Sequence, residues 1–139
     1  MPLSFIKKGF IKKGIAILAL SSIYTSAHAD IVSELRDAAK LSEEYRELTI
    51  NCYIDAKLFK QKAWKKEACS DYKVMAKTQL QAYRRSVQHK TKQFREFMHN
   101  DEPSIRRIKK GLKQLAIIQF NLENIRSGSK KIKMAVKSK

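Results

Sequence analysis

The two cysteines, Cys52 and Cys69, are the side chains of this sequence best suited to covalent chemistry. They could form a disulfide, hold a metal ion or act as reactive thiols. Sixteen residues separate them, so there is no C-x-x-C motif, and no histidine lies near either cysteine in the sequence. These facts disfavour the metal and thiol readings, whereas an even cysteine count in an exported chain is typical of a disulfide. We therefore predict a Cys52–Cys69 bond, worth about 3 kcal/mol in the chain-entropy model.

The other residues with catalytic potential do not form a recognisable site. His89 and His99 lie ten residues apart, so on one helix they would point about 280° away from each other. Glu44 and Glu47 could share a helix face, as many solvated carboxylates do. The sequence contains no H-E-x-x-H, no G-x-S-x-G, no glycine-rich phosphate loop and no C-x-x-C-H haem attachment motif. We predict a non-enzymatic protein that binds no cofactor and no metal.

Basic residues concentrate in two segments, which together form the candidate binding surface. The first segment lies within the predicted disulfide ring, around Trp64, and we call it the ring cluster; the second lies near the start of a predicted helix, and we call it the second cluster. Their members are Lys57, Lys60, Lys62, Trp64, Lys65 and Lys66 in the ring cluster, and Arg106, Arg107, Lys109, Lys110 and Lys113 in the second cluster. Cations early in a helix oppose its dipole, and a local rule broken without an evident gain points towards function. The competing interpretation is a solvated face that keeps the protein soluble.

The first 29 residues have the three parts of a secretory signal peptide. Four lysines lie between positions 7 and 13, residues 15–20 are all apolar, and Ala27-His28-Ala29 supplies small residues before a cleavage site. A membrane anchor needs about 20 predominantly apolar residues, and this stretch is shorter. We therefore predict cleavage after Ala29, a mature chain that begins at Asp30, and a periplasmic or secreted location.

Charge is distributed unevenly along the predicted mature chain, which keeps 26 basic and 13 acidic residues. Residues 30–55 carry seven acids and three bases, whereas residues 56–139 carry 23 bases and six acids. Four of the early acids each precede an apolar position by one residue, so they line the flank where a neighbouring helix would pass. We expect the acidic first helix to dock against basic helices and a large basic surface to remain.

Apolar residues recur at steps of three and four in three stretches, and each stretch predicts an amphipathic helix. The three stripes are Ile31, Leu35, Ala38, Leu41, Tyr45, Leu48 and Cys52; Tyr72, Ala76, Leu80, Tyr83, Val87, Phe94 and Met98; and Ile105, Ile108, Leu112, Leu115, Ile118, Leu122 and Ile125. Ser70-Asp71 is typical of a helix start, Pro103 of a break, and Ser127-Gly128-Ser129 of a helix end.

These elements predict an all-α fold, a small antiparallel helical bundle of three long helices with one disulfide. The predicted organisation is a signal peptide at 1–29, a helical domain at 30–128 and a basic flexible tail at 129–139. The pattern does not assign residues 53–69, which could hold a short fourth helix. Because a three-helix core is thin, that fourth helix or a homodimer would help to bury it.

Together these features predict an exported binding protein whose basic surface engages an anionic component of the envelope, either lipid or polymer, or a client protein. The alternative is a dedicated inhibitor or immunity protein that recognises one cognate partner protein through an anchor such as Trp64. Nucleic acid is not expected as a partner, because no nucleic-acid-binding module is recognisable and export would separate the chain from DNA.

Overall fold

A computed structural model describes residues 30–138, which contain helices and no strand. The four α-helices are α1 (Ile31–Phe59), α2 (Glu67–Val74), α3 (Leu80–Asn100) and α4 (Ile105–Lys137). A 3-10 helix at Lys60–Lys65 follows α1, and a π-helical turn at Met75–Gln79 joins α2 to α3 into one continuous helical stretch. The prediction of an all-helical bundle with one disulfide is confirmed for these residues. The predicted signal peptide lies outside them.

Helices α1 and α4 run parallel and pack along a seam with a seven-residue repeat. Buried α1 residues follow steps of three and four from Leu35 through Cys52 to Ala56, and buried α4 residues recur at steps of three, four and seven from Gly111 to Ala135. Alternating steps of three and four are the signature of coiled-coil packing. Contacts across the seam pair residues at nearly constant separation along the chain, which sets the two helices in parallel register.

Small and polar side chains line much of this seam. The Asn121 amide donates a 2.9 Å hydrogen bond to the Ser42 hydroxyl, and Ser42 in turn donates to the Ala39 carbonyl at 2.6 Å. One heptad further on, Gly128 lies so close to Thr49 that a Cβ at position 128 would be 2.6 Å from the Thr49 Cγ2. Close approach of the helices therefore depends on residues with little volume, and the buried amide helps to specify the register.

The stretch formed by α2, the π-helical turn and α3 runs antiparallel to both long helices. The Tyr83 hydroxyl donates a 2.5 Å hydrogen bond to the Ala38 carbonyl, and the Tyr83 ring meets Tyr45 edge-on with centroids 5.3 Å apart. The wider π-helical turn takes up extra residues, so Met75 faces the core together with Tyr83. Met75 therefore occupies the buried position that the sequence pattern assigned to Ala76.

Two boundaries differ from the sequence-based expectation. Helix α2 begins at Glu67, so Ser70-Asp71 lies inside a helix instead of starting one. Helix α4 does not end at Ser127-Gly128-Ser129 but continues to Lys137, and Ile132 on its last turns is fully buried. Residues 129–137 are thus helical and packed, not a flexible tail, because α1 and the 3-10 helix supply a surface for their apolar side chains. The Pro103 break is present, and Ser104 accepts a hydrogen bond from the Arg107 backbone as the N-cap of α4.

The buried faces also differ from the predicted stripes. On α1, Ser42 and Thr49 are fully buried while Leu41 and Leu48 are only partly buried. On α4, Ile118 and Ile125 are buried as predicted, but Ile105 and Leu112 are exposed. The apolar pattern located each helix correctly and its buried face only approximately.

Candidate binding surface at the disulfide end

The disulfide joins the last turns of α1 to α2 and defines one end of the bundle. Cys52 and Cys69 form the predicted bond, with their Cα atoms 4.4 Å apart and both side chains fully buried. The ring between them contains the end of α1, the 3-10 helix and the start of α2. Lys60 has a φ of 54°, a left-handed conformation that turns the chain out of α1, and the fully buried Ala63 anchors the 3-10 helix to the core.

The last turns of α4 pack against this ring. The Tyr72 hydroxyl donates a 2.6 Å hydrogen bond to Ser129, and the Lys60 ammonium donates a 2.8 Å hydrogen bond to Ser138. These contacts bring a second group of lysines to the ring cluster: Lys130, Lys131, Lys133 and Lys137. Sequence analysis missed this group because it placed these lysines in a flexible tail. We define the disulfide end as residues 52–74 and 127–138.

Several lysines of the disulfide end lie over aromatic rings. The Lys66 ammonium is 4.2 Å from the centroid of the Phe59 ring. Lys57 from α1 and Lys131 from α4 both approach the Tyr53 ring, each at 5.9 Å. Tyr53 is therefore a ring that lysines of both helices approach. Cation–π contacts at exposed sites contribute about 0.5–1 kcal/mol each, which offsets part of the repulsion between the lysines.

Trp64 is half-buried and packs against the core, while the Lys73 ammonium lies 5.7 Å from its ring. One face of the indole therefore contributes to the packing beneath the ring cluster. Trp64 was named as one example of an anchor for a cognate partner, and its partial burial leaves only part of the indole available for such a contact.

The disulfide end carries ten lysines and three acids, Asp55, Glu67 and Asp71. Five large apolar side chains are exposed among these charges. They are Ile54, Leu58, Phe59, Val74 and Met134, which expose 49%, 68%, 40%, 53% and 72% of their surface. The surface thus combines a dense positive charge with protruding aliphatic and aromatic groups.

The second cluster lies at the opposite end of the bundle, which we call the loop end and define as residues 30–37 and 88–113. Helix α4 rises about 1.5 Å per residue, so Lys113 and Lys130 are about 25 Å apart along its axis. Arg107 is half-buried, with its guanidinium 5.0 Å from the centroid of the Phe97 ring, and the other four members are exposed. The structure therefore does not join the two predicted clusters into one site.

The acidic residues of α1 lie mainly between the loop end and the middle of the bundle. Glu34 forms a 3.4 Å ion pair with Lys90 of α3. This contact agrees with the expectation that the acidic first helix docks against a basic helix. Partial burial, followed by repulsion from Glu47, raises the pKa of Glu44 above its usual value. Burial, with a smaller contribution from Glu44, raises the pKa of Tyr45 to about 12. Both groups lie outside the disulfide end, about 10–12 Å before Cys52 along the axis of α1.

Within residues 30–138, no three His, Cys, Asp or Glu side chains come together as a metal ion would require. In the same part of the chain, no helix is both long and apolar enough to cross a membrane. No family model, curated protein or solved structure matches this chain.

Proposed function

We propose that the protein is a non-enzymatic exported binding protein whose disulfide end engages an anionic component of the cell envelope or an acidic client protein. The observation that carries this proposal is the convergence of ten lysines with only three acids on one end of the bundle, where α1, the 3-10 helix, α2 and α4 meet. Charge of one sign concentrated on a rigid surface attracts partners of the opposite sign and speeds their association.

The proposed export rests on the signal-like residues 1–29 and agrees with the disulfide, because disulfides persist in oxidising compartments. In this proposal the signal is cleaved after Ala29, and the protein works in the periplasm or outside the cell. N-terminal sequencing of protein recovered from those fractions should give Asp30 as the first residue. Recovery of the uncleaved chain in a membrane fraction would contradict it.

A binding experiment with charge-reversed variants tests the surface itself. The ligands are poly-L-glutamate, which stands for an acidic polymer or client, and vesicles that contain phosphatidylglycerol. Wild-type affinity should fall at least about tenfold when salt rises from about 50 to about 300 mM, because exposed charges are screened over about 10 Å at 0.1 M. The test variant is Lys62→Glu, Lys65→Glu, Lys133→Glu, whose three side chains are exposed at the disulfide end.

The matched control is Lys109→Glu, Lys110→Glu, Lys113→Glu, which changes the net charge equally but at the loop end. We expect the test variant to lose at least about tenfold in affinity and the control less than about threefold, since the ends lie more than two screening lengths apart. Equal losses would show that net charge matters and the disulfide end does not. Binding to one envelope protein that ignores salt and both variants would favour the dedicated inhibitor or immunity protein instead.

A further inference from the structure

The exposed apolar side chains at the disulfide end carry a second inference, which rests on the proposed function and names its ligand. A soluble polyanion needs only cations, yet Leu58 and Met134 expose 68% and 72% of their surface at this end. A ligand that contacts both lysines and these apolar groups accounts for the combination.

The arrangement of these groups is ordered along α1. Ile50, Ile54 and Leu58 recur every four residues, so they form one exposed row on the outer face of the helix. Lys57 lies one turn after Ile54, and its ammonium shares the Tyr53 ring with Lys131 of α4. The apolar row is therefore bordered by cations from two helices.

Helix α4 repeats this combination. Met134 follows Lys131 by one turn and precedes Lys137 by one turn, so its exposed side chain projects between lysines. Lysine has a long apolar stem, which allows an apolar neighbour to enter a non-polar layer while the ammonium remains at the polar boundary. Apolar groups at the level of lysine stems, with ammonium groups around them, match a ligand whose anionic layer covers a non-polar layer.

We infer that the disulfide end docks on the surface of an anionic phospholipid bilayer. Its lysines meet the headgroup phosphates, while Leu58, Met134 and their apolar neighbours reach the beginning of the acyl chains, as in interfacial membrane binding. Charge complementarity selects this occupant over a second copy of the chain, whose disulfide end has the same positive charge. An acidic protein with an apolar patch is the outcome against which the experiment discriminates.

The experiment compares apolar variants on two ligands. The protein is recovered from the periplasm or medium of the producing cells, so that every variant has the same native N-terminus. The test variant is Leu58→Ser, Met134→Ser, and the matched control is Ile105→Ser, Leu112→Ser, which removes exposed apolar groups, 71% and 49% exposed, from the loop end. Circular dichroism and thermal melting verify that both variants fold like the wild type, as expected for exposed positions.

Affinity is measured by sedimentation with vesicles that contain about one third phosphatidylglycerol. The test variant should lose at least about tenfold in affinity and the control less than about twofold, because only the test variant loses contact with the acyl chains. Neutral phosphatidylcholine vesicles should bind weakly, and poly-L-glutamate should bind both variants like the wild type.

If the test variant kept its affinity for anionic vesicles while the lysine reversals weakened binding to both ligands, the lipid inference would be wrong and the proposed function would stand. Loss of affinity for poly-L-glutamate as well would show that the substitutions act on the charged surface and not on acyl contact, and the lipid inference would be wrong. If the wild type bound neither ligand, the proposed function would fall too.

Discussion

The two ends of the bundle hold the same three helical stretches together by different contacts. At the disulfide end, the Cys52–Cys69 bond links α1 to α2, and Tyr72 and Lys60 donate hydrogen bonds to the last turns of α4. At the loop end, the fully buried Phe94 ring packs over Gly111, and a Glu34–Lys90 ion pair joins α1 to α3. At the disulfide end a covalent bond joins α1 to α2, whereas at the loop end the helices are held by side-chain packing and an ion pair.

The difference in closure accompanies a difference in charge. The disulfide end has ten lysines against three acids, whereas the loop end has nine bases against six acids. Like charges close together destabilise a compact state. The covalent bond holds α1 to α2 despite that repulsion, and the buried apolar side chains at the end of α4 hold that helix beside them.

Phe94→Ala should produce the largest loss of stability, about 3–5 kcal/mol, because it removes a large buried ring and leaves a cavity over Gly111. Urea unfolding followed by circular dichroism measures this loss. Phe120→Ala is the control, since that ring is 61% exposed and its removal should change stability by less than about 0.5 kcal/mol. Similar values for the two variants would mean that packing does not close the loop end.

Replacing both cysteines, Cys52→Ala and Cys69→Ala, should lower stability by about 3 kcal/mol, because the open ring has more conformational freedom in the unfolded chain. The double variant should also gain more stability from added salt than the wild type, since salt screens the lysine repulsion that the bond opposes. Thermal melting at low and high salt measures both effects. Full reaction of the native wild-type protein with a thiol reagent, or unchanged melting of the variant, would contradict this account.

Substituting alanine for each of the two glycines of α4, Gly111 beside α3 and Gly128 beside α1, should show how closely the helices approach at each end. Alanine in a helix is favoured over glycine by about 1 kcal/mol, but a Cβ at position 111 would overlap the Phe94 ring. Gly111→Ala should therefore destabilise by about 1–3 kcal/mol overall. At position 128 the new Cβ would meet only the Thr49 methyl, so the loss should be smaller.

Thr49→Ser supplies the check for the second glycine, because it removes that methyl and keeps the hydroxyl that donates to the Tyr45 carbonyl. Gly128→Ala should be less destabilising in the Thr49→Ser background than in the wild type, as denaturant unfolding of the four proteins would show. Identical effects in both backgrounds would mean that the methyl does not limit helix approach.

The Glu34–Lys90 ion pair should give the smallest effect. Its side chains expose 19% and 23% of their surface, so the pair is partly screened and should contribute less than about 1 kcal/mol. A double-mutant cycle with Glu34→Gln and Lys90→Met measures the coupling. A coupling well above that value would show that electrostatics, and not only packing, closes the loop end.

The sequence pattern located the helices, but it did not identify the seam between them. Leu41 and Leu48 continue an apolar stripe, yet Ser42 and Thr49 occupy the buried positions beside α4. Periodicity reports which face of a helix is apolar. How close two helices can come depends on side-chain volume on both of them, and here the small residues allow the closest approach.

The sequence by itself determined the helical class, the break at Pro103, the pairing of the two cysteines and the excess of positive charge. The first, second and fourth follow from local composition, and the third follows because two cysteines can pair in only one way. Only the tertiary structure decided that residues 129–137 continue α4, that their lysines join the ring cluster, and that Arg106 to Lys113 lie at the other end. Ile132 and Val136 cannot bury themselves within one basic helix, so their order depends on the surface that α1 and the 3-10 helix provide across the bundle.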